Sequence, residues 1–161
     1  MRIKGLIDEN FQDYKVASMF IATSTCNWKC CTEAHNQICQ NLPLASSPIM
    51  DIKDCEIVRR YLSNSLTSAV VIGGLEPLDQ GNELLALVDE FRRYTLDDIV
   101  IYTGYTEVEA KKWTEKLRVY PNIIIKFGRF VPNQEPRYDE VLGIKLASPN
   151  QYARRLVCEQ K

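Results

Sequence analysis

The sequence predicts an α/β fold built on a mostly parallel sheet. Three observations lead to this prediction. Four short apolar runs, at 19–23, 69–72, 98–102 and 122–126, are typical of buried strands. Segments with helical periodicity separate the last three runs from one another and from the first. Glycines follow closely after the later strands. Parallel neighbours need crossover connections, which the helical segments supply.

The N-terminal region, residues 1–18, is predicted to form a strand from Ile3 to Ile7, a polar turn and a return. This hairpin or edge would lead into the strand at 19–23, which runs directly into a cysteine-rich segment. After that segment, residues 42–48 are rich in Pro and Ser and are predicted to be a connector.

Three helices are predicted from apolar spacing. The first begins at Asp51 or Asp54 as N-cap, the second covers 80–94, and the third covers 107–119. Their expected inward faces are Ile57, Val58, Tyr61 and Leu62; Leu84, Leu85, Leu87, Val88 and Phe91; and Ala110, Trp113 and Leu117.

The C-terminal part is predicted to hold a last strand from Val141 to Leu146 and a short helix in the charged tail after Gln151. No internal repeat or linker divides the chain. We therefore expect one domain over residues 1–161, with an N-terminal hairpin at 1–18 and a core at 19–152.

Composition narrows the classes of function. The chain has 161 residues, 45% of them hydrophobic, and a net charge of −1. It therefore lacks the basic field that captures nucleic acid or an anionic membrane. No signal peptide or long apolar stretch is evident, so a cytoplasmic location is expected, where thiols stay reduced. The single histidine, His35, argues against hydrolases with a histidine base and excludes a multi-histidine metal site.

Four of the six cysteines, Cys26, Cys30, Cys31 and Cys39, fall within fourteen residues at the end of a predicted strand. Thiols at this density favour an iron–sulfur cluster or zinc. Disulfides and inert packing are the alternatives. Adjacent cysteines rarely point the same way, so three ligands and one bystander are expected. A cubane held by three thiolates leaves one iron open to another molecule.

The other unusual motifs also follow strands. They are Gly73-Gly-Leu-Glu-Pro77, Tyr102-Thr-Gly-Tyr105 and Lys126-Phe-Gly-Arg129. In parallel sheets ligands bind beyond the carboxyl ends of strands, so all these motifs should share one rim. Each motif also has a simpler interpretation. The glycines could form an ordinary turn, tyrosine is common at strand ends, and Lys126 and Arg129 could be solvated rather than form a carboxylate clamp.

The residues next to these cysteines, and the two remaining cysteines, are not expected to be ligands. Trp28 could shield a cluster from water, while Glu33 and His35 are expected at the solvated surface. Cys55, in a helix, and Cys158, near the tail, are expected not to be ligands.

These residues together resemble the radical SAM superfamily, in particular the small activating enzymes of anaerobic ribonucleotide reductase and, more distantly, of pyruvate formate-lyase. That family places CxxxCxxC after its first strand, often ending Cys-His-Asn. Cys26 and Cys30 match the first two positions, but Glu33 stands at the third. Cys39, followed by Gln40-Asn41, resembles the ending, which gives CxxxCx₈C. Cys31 is the alternative third ligand.

The resemblance covers residues 17–152. Gly73 to Pro77 resembles the GGEP motif with one residue inserted, and Ile101 to Tyr105 resembles the strand-end YTGY. Phe127 to Phe130 resembles DGRF with Phe in place of Asp. Ala147 to Gln151 resembles GSxNQR.

The resemblance implies a [4Fe–4S] cluster on Cys26, Cys30 and Cys39 that reductively cleaves S-adenosylmethionine to a 5′-deoxyadenosyl radical. The methionine amine would meet Gly73, Gly74 and Glu76, and the adenosine side would meet Tyr102 and Thr103. The carboxylate or the ribose of S-adenosylmethionine would meet Lys126, Arg129 or Asn150.

The implied fold is a partial, open βα barrel, since this length gives too few strands to close a full one. An open barrel suits a macromolecular radical acceptor, such as the glycine Cα of a glycyl radical enzyme of reductase type or another peptide. Flavodoxin or ferredoxin would supply the electron. The rival function is that of a non-catalytic iron–sulfur or zinc protein used for electron transfer or regulation. No nucleic acid or membrane partner is expected.

Overall fold

The computed structural model describes residues 1–158 and has a mixed β-sheet at its centre. The strands, in chain order, are β1 (Arg2–Asn10), β2 (Ser18–Thr23), β3 (Met50–Asp51), β4 (Ala69–Gly74), β5 (Asp98–Tyr102), β6 (Ile123–Phe127), β7 (Arg137–Asp139), β8 (Ile144–Leu146) and β9 (Tyr152–Arg155). Seven of them form the main sheet in the order β3-β1-β2-β4-β5-β6-β9, and β7 pairs with β8 alone.

The centre of the main sheet is parallel and its edges are antiparallel. Strands β2, β4, β5 and β6 pair in parallel. Strand β1 pairs antiparallel with β2 and β3, and β9 pairs antiparallel with β6. The α/β prediction is therefore confirmed. The antiparallel partner of β1 is β2 itself rather than a return strand within residues 1–18. The sheet is mixed because its two edges, β3-β1 and β9, pair antiparallel with the parallel centre.

The helices are α1 (Lys29–Glu33), α2 (Leu42–Ala45), α3 (Asp54–Leu62), α4 (Gly81–Arg92) and α5 (Glu107–Leu117). Helices α3, α4 and α5 connect the parallel strands and pack on one face of the sheet, where Ile57, Leu84 and Leu117 are fully buried. Thr106 and Glu109 form a capping box that starts α5. Within residues 1–158 no helix has the length and apolar character to cross a membrane.

The opposite face of the sheet is covered by the β7–β8 hairpin and by the turn between β1 and β2. Tyr14, Leu142 and Leu146 pack there against Val71 and Val100. The carboxyl ends of the parallel strands border a cavity.

In the C-terminal region one prediction is wrong and another is confirmed only in part. The tail after Gln151 forms strand β9 rather than a helix, because the outer edge of β6 is open to pairing and Arg155 binds Asp98 across the sheet at 2.6 and 2.9 Å. The strand predicted at 141–146 begins only at Ile144. Gly143 has φ 72, which makes a turn, and β8 pairs with β7 outside the main sheet.

Three smaller predictions also need correction. The connector at 42–48 contains α2, which has Pro43 in its first turn, where proline is tolerated. The N-cap of α3 is Lys53, because Asp51 lies in β3 and Asp54 is already helical. Leu62 is 48% exposed, since it is the last residue of α3 and lies beyond the core.

Candidate functional site

A cavity of about 530 Å³ lies at the carboxyl ends of the parallel strands. Most of the predicted site residues line it, namely Cys26, Cys30, Cys39, Gly73, Gly74, Glu76, Tyr102, Thr103, Lys126 and Arg129. Neither Cys31 nor Asn150 belongs to that lining. The motifs that the sequence placed on one rim therefore border one space.

The shape of the cysteine loop decides which thiols face the cavity. Trp28 adopts a left-handed conformation with φ 59, which turns the chain into α1. Cys30 and Cys31 are consecutive in this helix, and consecutive helical residues point about 100° apart. Of these two, Cys30 lines the cavity and Cys31 does not. Cys26, before the helix, and Cys39, after it, line the cavity as well.

The three cavity thiols fit an iron–sulfur cluster by their chemistry. All six cysteines are free, and burial raises the pKa of Cys26 to about 12 and that of Cys30 to about 11. Bound iron would supply the positive charge that converts such thiols to thiolates. Among the described residues, no three His, Cys, Asp or Glu side chains converge as a single metal ion would require. Cys26, Cys30 and Cys39 line one cavity, and cysteine thiolates are the usual ligands of iron–sulfur clusters.

Hydrogen bonds attach the first part of the cysteine loop to the strand ends. Asn27 donates from its backbone N to Asp79 Oδ2 at 2.6 Å, and its side chain donates to Tyr105 Oη at 2.6 Å. The Ser24 amide donates to the buried Gln80 side chain at 2.8 Å. Sequence reasoning missed Asn27, Asp79 and Gln80 because no motif links residues so far apart in the chain.

The far end of the loop is held in a similar way. Asn41 lies two residues after Cys39, and its side chain donates to the carbonyl of Gly74, the last residue of β4. Because Asn41 also completes the Cys-Gln-Asn resemblance, its position in the sequence was a usable signal.

Glu76 is the buried acid of the cavity, with 5% of its surface exposed. Its carboxylate accepts from Thr103 Oγ1 at 2.6 Å, Gly104 N at 2.8 Å and Leu78 N at 3.0 Å. Burial raises its pKa to about 7, and these three hydrogen bonds partly oppose the effect. A carboxylate offers about four acceptor positions, so one remains for a cationic ligand.

Lys126 is the buried base of the cavity, with 6% of its surface exposed. Its Nζ donates to the Gly128 carbonyl at 2.9 Å and lies 5.9 Å from the centre of the Tyr102 ring. Burial lowers its pKa to about 8, an effect that the negative charge of Glu76 opposes. A buried acid and a buried base on one cavity suit a ligand with both an ammonium and a carboxylate group.

Two glycines at the end of β4 are needed for their small size. Gly74 has φ 84, and a Cβ there would lie 2.9 Å from Leu44 and 3.0 Å from Ala22. At Gly73 a Cβ would lie 3.2 Å from that of Tyr102. Bare backbone therefore borders the cavity at this point.

The remaining predicted site residues make contacts within the protein. The Arg129 guanidinium donates to both carboxylate oxygens of Glu109, at 2.7 and 2.9 Å. The side chain of Asn150 donates to the Arg129 carbonyl at 2.8 Å. Tyr102 donates from its hydroxyl to the Asp13 carbonyl at 2.6 Å. Asn150 thus supports the backbone of the cavity wall from outside.

Sequence reasoning also missed several residues of the lining: Gln12, Asp13, Phe20, Lys145 and Gln151. Phe20 could have been found from strand alternation, because it shares the cavity face of the sheet with Tyr102. The others come from the β1–β2 turn, the β7–β8 hairpin and the start of β9, whose placement depends on tertiary structure.

A model of the family described as 4Fe–4S single cluster domain matches residues 15–148. This match covers the cysteine loop and all the parallel strands. No curated protein and no solved structure gives a significant match to the chain.

Proposed function

Because the chain belongs to the 4Fe–4S single cluster domain family, we propose that it binds one [4Fe–4S] cluster through Cys26, Cys30 and Cys39 and acts as a radical SAM enzyme. When bound and reduced, the cluster would supply the electron that cleaves S-adenosylmethionine to methionine and a 5′-deoxyadenosyl radical. The observation that carries the proposal is the shared cavity, which is lined by three thiols, a buried acid and a buried base.

The cavity residues have chemistry suited to the methionine part of this cosubstrate. The free acceptor position of Glu76 would bind the ammonium group through a charge-assisted hydrogen bond. The ammonium of Lys126 would bind the carboxylate. Gly73 and Gly74 would let the ligand approach the backbone, and Tyr102 with Thr103 would border the adenosine side.

The proposed radical acceptor is a glycine Cα in a partner protein, a glycyl radical enzyme such as anaerobic ribonucleoside-triphosphate reductase. Support comes from the order of motifs along the chain and from the parallel strands that end at the cavity, as in a partial, open βα barrel. A flavodoxin or ferredoxin would donate the electron, and the cytoplasm would be the site of action.

Product analysis tests the cleavage activity. We expect anaerobically reconstituted protein, reduced with dithionite, to release 5′-deoxyadenosine and methionine from S-adenosylmethionine. E76Q should keep the cluster absorbance and lose most of the product, because its side-chain amide cannot provide a charged acceptor. E115Q, on the exposed face of α5, is the matched control. An intact wild-type cluster without product would contradict the proposal and favour electron transfer or regulation.

The acceptor requires a separate measurement. With a purified glycyl radical enzyme present, electron paramagnetic resonance should detect a protein glycyl radical that depends on S-adenosylmethionine. Cleavage without that signal would leave the radical SAM assignment intact and point to a different peptide acceptor.

A further inference from the structure

Arg129, which lines the cavity with the three thiols, and its ion-pair partner Glu109 carry opposite charges beside the cysteine loop. We propose that they set the reduction potential of the cluster: Arg129 raises the potential and Glu109 lowers it. This inference rests on the cluster assignment to Cys26, Cys30 and Cys39, and it makes both residues positioning and tuning residues rather than ligands.

The network joins the cysteine loop to two other elements. Arg129 follows β6, and its two terminal nitrogens donate to Glu109 in the first turn of α5. Its Nε lies 2.9 Å from Glu33 Oε2, an ion pair without hydrogen-bond geometry. Lys29 also donates to Glu109. Lys29 and Glu33 are the first and last residues of α1, so the helix that carries Cys30 is held at both ends.

Arg129 lies where its charge can act on the cluster. It lines the main cavity with all three thiols, and it lines a smaller adjoining cavity with Cys26 and Cys30. Its side chain is only 13% exposed, compared with 26% for Glu109. Salt therefore screens both charges less than it screens surface charges. The bidentate contact with Glu109 raises the pKa of Arg129, which keeps it cationic.

The sign of each effect follows from electrostatics. Reduction adds one electron to the cluster, so a nearby positive charge stabilises the reduced form and a nearby negative charge destabilises it. Removing the charge of Arg129 should lower the potential, and removing that of Glu109 should raise it. A purely structural role predicts no such opposition, because either change loosens the same contact.

Potentiometric titration of the reconstituted protein, without S-adenosylmethionine, tests the inference. At a fixed solution potential, we expect R129Q to decrease the ratio of reduced to oxidised cluster by roughly ten-fold. E109Q should increase this ratio by a smaller factor, because Glu109 contacts Arg129 but does not itself line the cavity. The double variant should return towards wild type. R129K keeps the charge but not the bidentate geometry, so its potential should stay close to wild type. E109Q keeps the capping box, which accepts Gln at this position.

Matched controls exclude an effect of net charge. R93Q removes a cation that pairs with Asp89 and Glu90 on α4, and E115Q removes an anion that pairs with Lys111 on α5. Unlike Arg129 and Glu109, neither residue is ion-paired with the cysteine loop, and neither lines the cavity. Shifts in the same direction for R129Q and E109Q, or shifts no larger than those of the controls, would overturn the inference. If R129Q fails to hold the cluster, E109Q alone tests the inference: a higher potential than wild type supports it, and an equal or lower potential refutes it. Wild-type protein that takes up no cluster would instead refute the cluster assignment.

Discussion

Alanine at position 74 should destabilise the protein because of two features of the glycine there. The backbone has φ 84, a left-handed conformation that costs an L-residue about 1–2 kcal/mol. The added Cβ would lie 2.9 Å from Leu44 Cδ2 and 3.0 Å from both the Cα and the Cβ of Ala22. Leu44 can move, but the backbone of β2 is fixed in the sheet. Overpacking of this kind costs about 1–3 kcal/mol.

Together these terms predict that G74A lowers the free energy of unfolding by about 3 kcal/mol, which corresponds to a decrease in Tm of about 6–12 °C for a chain of this size. Urea denaturation followed by circular dichroism, with both proteins in the same state of cluster loading, would measure it. G74A should also weaken binding of the proposed cluster. Asn41 anchors the cysteine loop to the Gly74 carbonyl, and the strained backbone would displace that carbonyl.

Gly104 provides the matched control at the same rim. It lacks a positive φ, and a Cβ there would meet nothing closer than 3.5 Å. G104A should therefore change stability by less than about 1 kcal/mol. Equal stabilities for G74A and G104A would refute the argument from backbone conformation and close packing.

Further predictions concern the thiols and the two buried charges. C39A should abolish the visible absorbance of the reconstituted cluster, whereas C31A should retain it because Cys31 does not line the cavity. The reverse result would make Cys31, rather than Cys39, the third ligand. K126M should stabilise the protein at pH 7 by about 2–3 kcal/mol in thermal unfolding. Burial lowers the pKa of Lys126 from 10.5 to about 8, so the charged side chain destabilises the folded state, and the loss of its one hydrogen bond offsets only part of the gain. K111M, at an exposed position, should have almost no effect. Burial raises the pKa of Glu76 from 4.5 to about 7, so its contribution to stability is full below pH 4.5 and lost as the pH rises through 7. E76Q should flatten this decrease, and an unchanged pH profile would contradict the assignment.

The central elements could be predicted because their patterns are local. The run Asp98–Tyr102 is apolar and is stopped by Thr103-Gly104, and the structure has β5 with the same bounds. Helices α4 and α5 follow their apolar spacing, although their ends differ by one or two residues from the prediction. The shared rim also followed from sequence, because parallel strands place their carboxyl ends at one edge.

The edges of the sheet could not be predicted in the same way. The segment Tyr152–Arg155 is polar and alternates little, and its pairing with β6 depends on an open edge far away in the sequence. The contacts of Arg129 and Asn150 could not be predicted from the sequence either. Their partners come from α5 and from the cavity wall, and no spacing in the chain reports those distances.

The cavity lining reaches from Gln12 to Gln151, almost the full length of the chain. During synthesis the N-terminal part emerges first, so Cys26 and Cys39 leave the ribosome well before β6 and β9 exist to enclose them. In that interval the thiols would be open to oxidants and to stray metal ions. Insertion of the proposed cluster is therefore expected only after β6 and β9 have been synthesised, and growth conditions that slow translation should lower the fraction of protein purified with iron.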